Sequence, residues 1–365
     1  MQIKAAIAKT INDPFEIITC EIDGPGPGEL LIRVKACGIC HTDLAVKLQH
    51  IPIPLPKVLG HEGAGIVERV GPGVTGIAEG DAVLMSYGSC GGCANCSRGL
   101  PGYCDEFLPI NLLGQRKGGS GLRYKGSEIG GAFFRQSAFA THSIATQRNV
   151  VKVAPDLPLN MLAPLGCGIQ TGAGTVLNTL APPAGSSIAV FGTGAVGLAG
   201  VMAANLAGCT TVVAVDVREN RLAVAREVGA THVVNGRSSD VAAQIMEITG
   251  KGAHFSMDTT GNPAAVAASI ACLRHRGRSA HVAAPPRGTS YPLDPSALVG
   301  RGLSICGSIE GDAIPQIFIP QLIEFFRRGA LPIDKLVTFF PFEDINRAID
   351  EMETGAVVKP VLVMD

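Results

Sequence analysis

Ser186-Ser-Ile-Ala-Val-Phe-Gly-Thr-Gly-Ala-Val-Gly197 is a short apolar run that ends in G-x-G-x-x-G and passes directly into a helical pattern, 197–207. Strand, glycine turn and helix in that order make a dinucleotide-binding unit. Gly192, Gly194 and Gly197 allow the tight turn, a close pyrophosphate and helix–strand packing. The helix N-terminus, with Val196 in its first turn, offers N–H groups and partial positive charge to phosphate. The next strand, Thr211 to Asp216, closes on an acidic residue at the required distance. Its carboxylate would accept both ribose hydroxyls and repel a 2′-phosphate, which predicts NAD over NADP. Arg221 is placed along the adenosine ribose, and Arg218 is the neighbouring cation that weakens the case against NADP.

Downstream, the pattern repeats. Strands are expected at His232 to Asn235, His254 to Asp258, Arg278 to Ala283 and Leu303 to Ile309, with helices at Asn220 to Val228, Asp240 to Thr249 and Pro263 to Leu273 between them. Near-continuous apolar strands with helical crossovers mean a parallel sheet covered on both faces. The tail adds a helix (Ile314 to Arg328), a strand-like Leu336 to Phe340, a helix (Phe342 to Glu353) and a last strand, Lys359 to Met364. Upstream, residues 1–85 read as short strands divided by turns such as Gly24-Pro-Gly-Pro-Gly28, an irregular and mostly β domain. Strand patterning returns from Phe133 to Val153, while Leu112 to Gly131 reads as a long surface loop, a candidate substrate or partner contact.

Bulk composition narrows the function. A chain of 365 residues is too long for one comfortable core, so two domains are expected. Net charge of −1, no Trp and few aromatics argue against a nucleic-acid platform or an anionic membrane surface. The N-terminus lacks an apolar signal core, and no window is long and apolar enough to span a bilayer, so a cytoplasmic protein is expected. In a reducing compartment, clustered cysteines among the eleven favour metal over disulfides.

Cys90-x₂-Cys93-x₂-Cys96-x₇-Cys104 is the most specific local signal. Four thiolates at short spacing in a glycine-rich loop can close a tetrahedron around a structural Zn²⁺, and the spacing differs from the common iron–sulfur patterns. A second constellation is scattered: Cys40, His61 in Gly60-His-Glu-Gly-Ala-Gly65, and Cys167 in Gly166-Cys-Gly168. Together they could form a Cys₂His zinc site with one open position, while each alone also reads as a buried core residue. Cys167 falls at the expected domain junction, where ligands commonly bind.

Taken with Cys37-Gly-Ile-Cys-His-Thr-Asp43 and Cys167-Gly-Ile-Gln-Thr-Gly172, these motifs make the chain resemble the zinc-dependent medium-chain alcohol dehydrogenases over essentially its full length. The resemblance implies an α/β protein. Residues 1–168 would form a GroES-like, mostly β catalytic domain with a zinc lobe at 86–106. Residues 169–306 would form a Rossmann doubly wound sheet, and 307–365 would return to the first domain. It implies Cys40, His61 and Cys167 as catalytic zinc ligands and Cys90, Cys93, Cys96 and Cys104 as structural ones, giving two zinc ions per chain. Thr42 would take the substrate's hydroxyl proton, Asp43 would orient His61, and Glu62 would be an electrostatic neighbour. Thr171 would lie near the nicotinamide, and His41 and Lys359 near the pyrophosphate. A metal-polarised alcohol would then give hydride to NAD⁺.

One position departs from many relatives: a histidine that ends the proton relay is replaced by Ala45, leaving His50, His41 or water for proton exit. This departure, the chain length and the long loop with Arg123-Tyr-Lys125 resemble the aryl (benzyl) alcohol dehydrogenases. Ile110, Leu112, Phe139 and Ile309 are candidate pocket residues. The expected activity is oxidation of a primary, benzyl-type alcohol by a homodimer or homotetramer that pairs through Leu303 to Ile309. The alternatives are an S-(hydroxymethyl)glutathione or general primary alcohol dehydrogenase and, more remotely, a non-catalytic nucleotide-binding interaction protein.

Overall fold

The computed structural model describes every residue except 284, 286, 287, 292 and 365. The chain divides into two compact units. The first comprises Met1–Cys167, Ile314–Ile323 and Val337–Asp365, and the second Gly168–Ala313 with Glu324–Leu336. The second unit therefore runs a few residues past 306 and reclaims the end of the helix Pro315–Arg327, so the return is not one clean step at 307.

The second unit is built on a six-stranded parallel sheet. Its order is His232–Asn235, Thr211–Asp216, Ser187–Phe191, Ala253–Asp258, Leu273–His281, Ser304–Gly307. The chain starts in the middle, moves outward and then reverses past its own start, the doubly wound arrangement in which ligands sit at the carboxyl ends of the strands where the order reverses. Ser187–Phe191 is buried along its whole length, as a central strand covered on both faces must be. Ala195–Leu206, apolar nearly all round, buries Gly197 through Ala204.

The first unit holds two mostly antiparallel sheets. One runs Lys57–Val58, Gln2–Ala8, Glu16–Ile22, Leu122–Tyr124, Ser127–Glu128. The other centres on Glu29–Gly38, flanked by Glu62–Val70 and Lys359–Val363 and paired near its start with His142–Thr146. Val337–Pro341 runs parallel to Lys359–Val363 with the helix Ile345–Thr354 between them, so the tail adds a βαβ unit to this sheet.

Two expectations are corrected. The stretch from Leu112 to Gly131 is not a structureless loop: it carries the hairpin Leu122–Tyr124 and Ser127–Glu128, which extends the first sheet through Glu16–Ile22. Arg123 is spent on Asp23 at 2.7 Å, and Arg116 grips both carboxylate oxygens of Glu29 at 2.8 Å. Nor does strand begin at Phe133. Phe133–Arg135 is a tight turn, and the first regular strand after it is His142–Thr146. Among the described residues, no helix is long and apolar enough to cross a membrane.

Candidate active site

Gly60 and Gly63 bracket His61 and Glu62 because side chains have no room there. A Cβ on Gly60 would lie 2.4 Å from the Phe139 amide nitrogen, and one on Gly63 would lie 2.3 Å from Met85 Cε. The glycines let the backbone press into the core and carry His61 to a fully buried position. Its ring is fixed by Asp43, also fully buried, whose Oδ1 accepts from His61 Nδ1 at 2.9 Å and from the Gly60 amide at 3.0 Å. Asp43 Oδ2 accepts the Cys40 amide at 3.0 Å. One carboxylate thus ties the start of the helix His41–Lys47 to the imidazole and sets its tautomer. With Nδ1 donating to Asp43, Nε2 is the nitrogen left to bind a metal once it gives up its own proton.

His61 Nε2 is buried and has no hydrogen-bond partner. The ligand atoms of Cys40, His61 and Cys167 all lie within 4.8 Å of one another. Burial alone would lower the imidazole's proton affinity, but the Asp43 charge and then Cys40 raise it well above the ordinary value. The Cys40 thiol is held well below its usual range by its hydrogen bond with Cys167, against burial, with His61 assisting. A bare imidazole nitrogen beside a thiol that favours thiolate fits a Cys₂His set for Zn²⁺ with a fourth position open.

Thr42 Oγ1 stands 3.8 Å from Cys40 Sγ, beside this set. His41 opens the same helix and is exposed, Ala45 is half-buried, and His50 is exposed. Lys359 departs from the role the resemblance implies. It is 2% exposed, and its ammonium lies 2.7 and 2.6 Å from the two oxygens of Glu62 and 2.9 Å from the Ile39 carbonyl. These contacts commit its charge to Glu62 rather than to a pyrophosphate. Phe139 is also a core residue, edge-on to Phe15 with ring centroids 5.8 Å apart, not a pocket wall. Ile309 is 42% exposed.

Three residues of the turn after Ala132 went unread in the sequence. Phe134 stacks on the His61 ring with centroids 4.5 Å apart, and Phe133 meets it edge-on at 5.5 Å. Phe107 then packs on Phe134, and Tyr87 on Phe107, so aromatic rings continue away from the imidazole. Gln136, 2% exposed, donates to the His61 carbonyl at 2.9 Å. Ala132, Phe134, Arg135 and Ser137 all have φ between 50° and 57°, at a cost of about 1 kcal/mol or more each. No glycine marks these positions, so the sequence carries no turn signal there.

The four-cysteine lobe is closed as the spacing requires. Cys90, Cys93, Cys96 and Cys104 bring their sulfurs within 4.8 Å of one another. Backbone N–H groups point at sulfur: Cys90 to Cys104 at 3.2 Å, Cys93 to Cys90 at 3.3 Å, Cys96 to Cys93 at 3.4 Å. The N–H of Cys96 is the largest cause that brings the Cys93 thiol down to about 6, whereas burial pushes Cys104 up to about 12. Donors aimed at sulfur favour thiolate, which is what a four-thiolate zinc site needs.

In the second unit the glycine turn shows its three functions. Gly192 has φ +86°, and a Cβ there would meet Thr259 Oγ1 at 2.4 Å. A Cβ on Gly194 would meet nothing within 4 Å, leaving the helix start open to a ligand, whereas one on Gly197 would strike the Gly192 carbonyl at 1.8 Å. Val196 lies in the first turn of the helix that follows. Asp216 Oδ2 accepts from both the amide and the hydroxyl of Thr193, at 2.7 and 2.8 Å, and Oδ1 accepts the Arg218 amide at 3.0 Å. The carboxylate is thereby fixed over the turn. Arg221 is 6% exposed, and burial lowers its guanidinium's proton affinity against the pull of Asp216. Thr171 Oγ1 donates to Glu310 Oε2 at 3.4 Å.

Fold and site together define a metal-binding dinucleotide dehydrogenase. A family model for the alcohol dehydrogenase GroES-like domain matches residues 26–156, and one for zinc-binding dehydrogenases matches 195–328. A geraniol dehydrogenase from Castellaniella defragrans is 41% identical over 363 residues, 99% of this chain and 97% of its own. A solved alcohol dehydrogenase zinc-binding domain protein from Burkholderia ambifaria matches with TM-score 0.98 and 46% identity, covering 100% of this chain and 99% of that one. Benzyl alcohol dehydrogenase from Acinetobacter calcoaceticus matches with TM-score 0.96 and 41% identity over 100% of both. The chain belongs to the zinc-binding medium-chain alcohol dehydrogenases, zinc-dependent enzymes with an NAD(P)-binding Rossmann unit.

Proposed function

We propose that this enzyme oxidises a primary alcohol with an aromatic ring on the carbinol carbon, benzyl alcohol being the simplest, and that NAD⁺ takes the hydride. The reading rests above all on the Cys40, His61 and Cys167 set with His61 Nε2 left bare and Phe134 stacked on the same ring. Zinc held by these three side chains supplies Lewis acidity toward the alcohol oxygen, and the dinucleotide supplies the hydride acceptor. Asp43 keeps the imidazole in the ligating tautomer, Thr42 takes the hydroxyl proton, and the proton leaves toward solvent, on which His41 and His50 open. Glu62, neutralised by Lys359, acts on the site through its field and not as a base.

Phe107, half-buried and packed on Phe134 and Tyr87, supports an aromatic substrate, because a ring beside it gains edge and face contacts worth about 0.5–1.5 kcal/mol beyond area, whereas Phe134 and Tyr87 are core residues, 4% and 2% exposed. The full-length likeness to a benzyl alcohol dehydrogenase supports it too. Geraniol, named for another relative, carries a double bond next to its carbinol carbon and tests how far the preference extends. Asp216 supports NAD, with Gly192, Gly194, Val196, Gly197, Arg221 and Thr171 lining the cofactor's path. The edge strand Ser304–Gly307, with Ile305 39% and nearby Val299 81% exposed, supports a homo-oligomer paired through that edge. A monomeric sedimentation profile would contradict the pairing.

The test is a substrate panel: benzyl alcohol, geraniol, ethanol and S-(hydroxymethyl)glutathione, each with NAD⁺ and NADP⁺. Highest kcat/KM for benzyl alcohol with NAD⁺ is expected. A preference for S-(hydroxymethyl)glutathione or for ethanol would overturn the substrate assignment.

A further inference from the structure

We propose that Gln136 and Ser86 are positioning residues of the catalytic metal site, forming a buried strap that sets the spacing of His61 and Cys167 before metal binds. This rests on the reading of Cys40, His61 and Cys167 as metal ligands. Gln136 Nε2 donates to the His61 carbonyl at 2.9 Å and to the Ser86 carbonyl at 3.1 Å, while its Oε1 accepts the Gly63 amide at 3.0 Å. Ser86 Oγ then donates to the carbonyl of Gly166, next to Cys167, at 2.7 Å. Two ligands 106 positions apart in sequence are thus joined by two side chains and three hydrogen bonds.

The strap is dry and held from behind. His61 and Ser86 are fully buried, and Gln136 is 2% exposed. Asn149 Nδ2 also donates to the Ser86 carbonyl at 3.2 Å, and the Ser86 amide donates to the Asn149 carbonyl at 2.8 Å. Ser137 Oγ donates to the Val58 carbonyl at 2.7 Å and accepts the Phe133 amide at 2.9 Å, pinning the left-handed turn that presents Gln136. In water-free surroundings such bonds resist exchange and hold geometry closely. Contacts of this kind, outside the ligand set itself, hold a metal ligand's position.

A merely structural role predicts a different outcome, so the test reads each zinc separately. In the holoenzyme, zinc release to a chromogenic chelator is followed for wild type, Ser86→Ala and Gln136→Met, with thermal unfolding in parallel. The two phases are assigned with a Cys40→Ser protein, which keeps only the four-cysteine metal. Release from the Cys40, His61 and Cys167 site is expected to quicken by about tenfold in each variant, with the four-cysteine phase unchanged. Cobalt(II) substituted at the catalytic site should show an altered visible spectrum. Ser86→Ala removes a single hydroxyl and stands alone if Gln136→Met does not fold. Wild-type release in the folded variants, or both phases quickening together, would overturn the proposal. A wild-type protein with metal only at the four cysteines would instead overturn the ligand reading beneath it.

Discussion

Lys359 Nζ lies 2.7 Å from Oε1 and 2.6 Å from Oε2 of Glu62, the residue directly after His61, and both side chains are buried. Burial alone would lower the lysine's proton affinity, yet Glu62 outweighs it and lifts Lys359 above its ordinary value; burial raises Glu62 against the pull of the same lysine. The pair is a mutual rescue, because neither charge is tolerable there alone. Lys359→Met should destabilise the protein by about 3–5 kcal/mol, whereas Lys359→Met with Glu62→Leu should recover most of that loss. Denaturant midpoints of the three proteins check it; equal stability of the single and double variants would contradict it.

Asp43 organises three groups at once: the Cys40 amide, the Gly60 amide and the His61 ring. Asp43→Asn keeps the shape but offers an N–H where an acceptor is required. Zinc affinity at the catalytic site should fall by about 10- to 100-fold, with the four-cysteine metal retained. Competition with a chelator of known affinity measures it.

Lys57 supplies the pH dependence. It is 3% exposed, and burial lowers its ammonium to about 8, although Nζ donates to the Leu113 carbonyl at 2.8 Å. The folded value lies below the ordinary 10.5 of an unfolded lysine. Below pH 8 both states hold the proton and the fold bears the full burial cost. Between 8 and 10.5 the unfolded chain keeps a proton that the folded one has released, so this group's contribution to stability rises with pH. The stability difference between wild type and Lys57→Met should therefore shift in favour of wild type by roughly 2–3 kcal/mol from pH 7.5 to 10.5. A pH-independent difference would contradict it.

Asp216 is fixed by Thr193 and the Arg218 amide at the end of its strand. Asp216→Ser should lower kcat/KM with NAD⁺ by about tenfold or more and narrow the preference over NADP⁺, since a charge-assisted bond is worth roughly 1.5–3 kcal/mol. Steady-state kinetics with both cofactors are the check.

The nucleotide-binding half was legible because its signals are local. An apolar run, three glycines and an aspartate within one βαβ unit identify themselves, as do four cysteines within a short loop. Cys40, His61 and Cys167 were legible only through resemblance, since nothing in their spacing says they meet. Gln136, Ser86 and Phe134 were not legible at all. Their importance lies in backbone carbonyls and a ring brought near by chain folding, and a glutamine beside two phenylalanines reads as an ordinary strand. Lys359 was placed near a pyrophosphate by resemblance alone, and only the fold supplies Glu62 as its buried partner.

The most direct test of the central claim pairs zinc content with benzyl alcohol oxidation for wild type and Cys40→Ser. Wild type should carry two zinc ions per chain and reduce NAD⁺ with benzyl alcohol. Cys40→Ser should stay folded, keep only the four-cysteine zinc and lose at least about a thousandfold in kcat, the loss expected when several kcal/mol of Lewis-acid stabilisation disappears. A Cys40→Ser protein with full activity and two zinc ions would contradict the account.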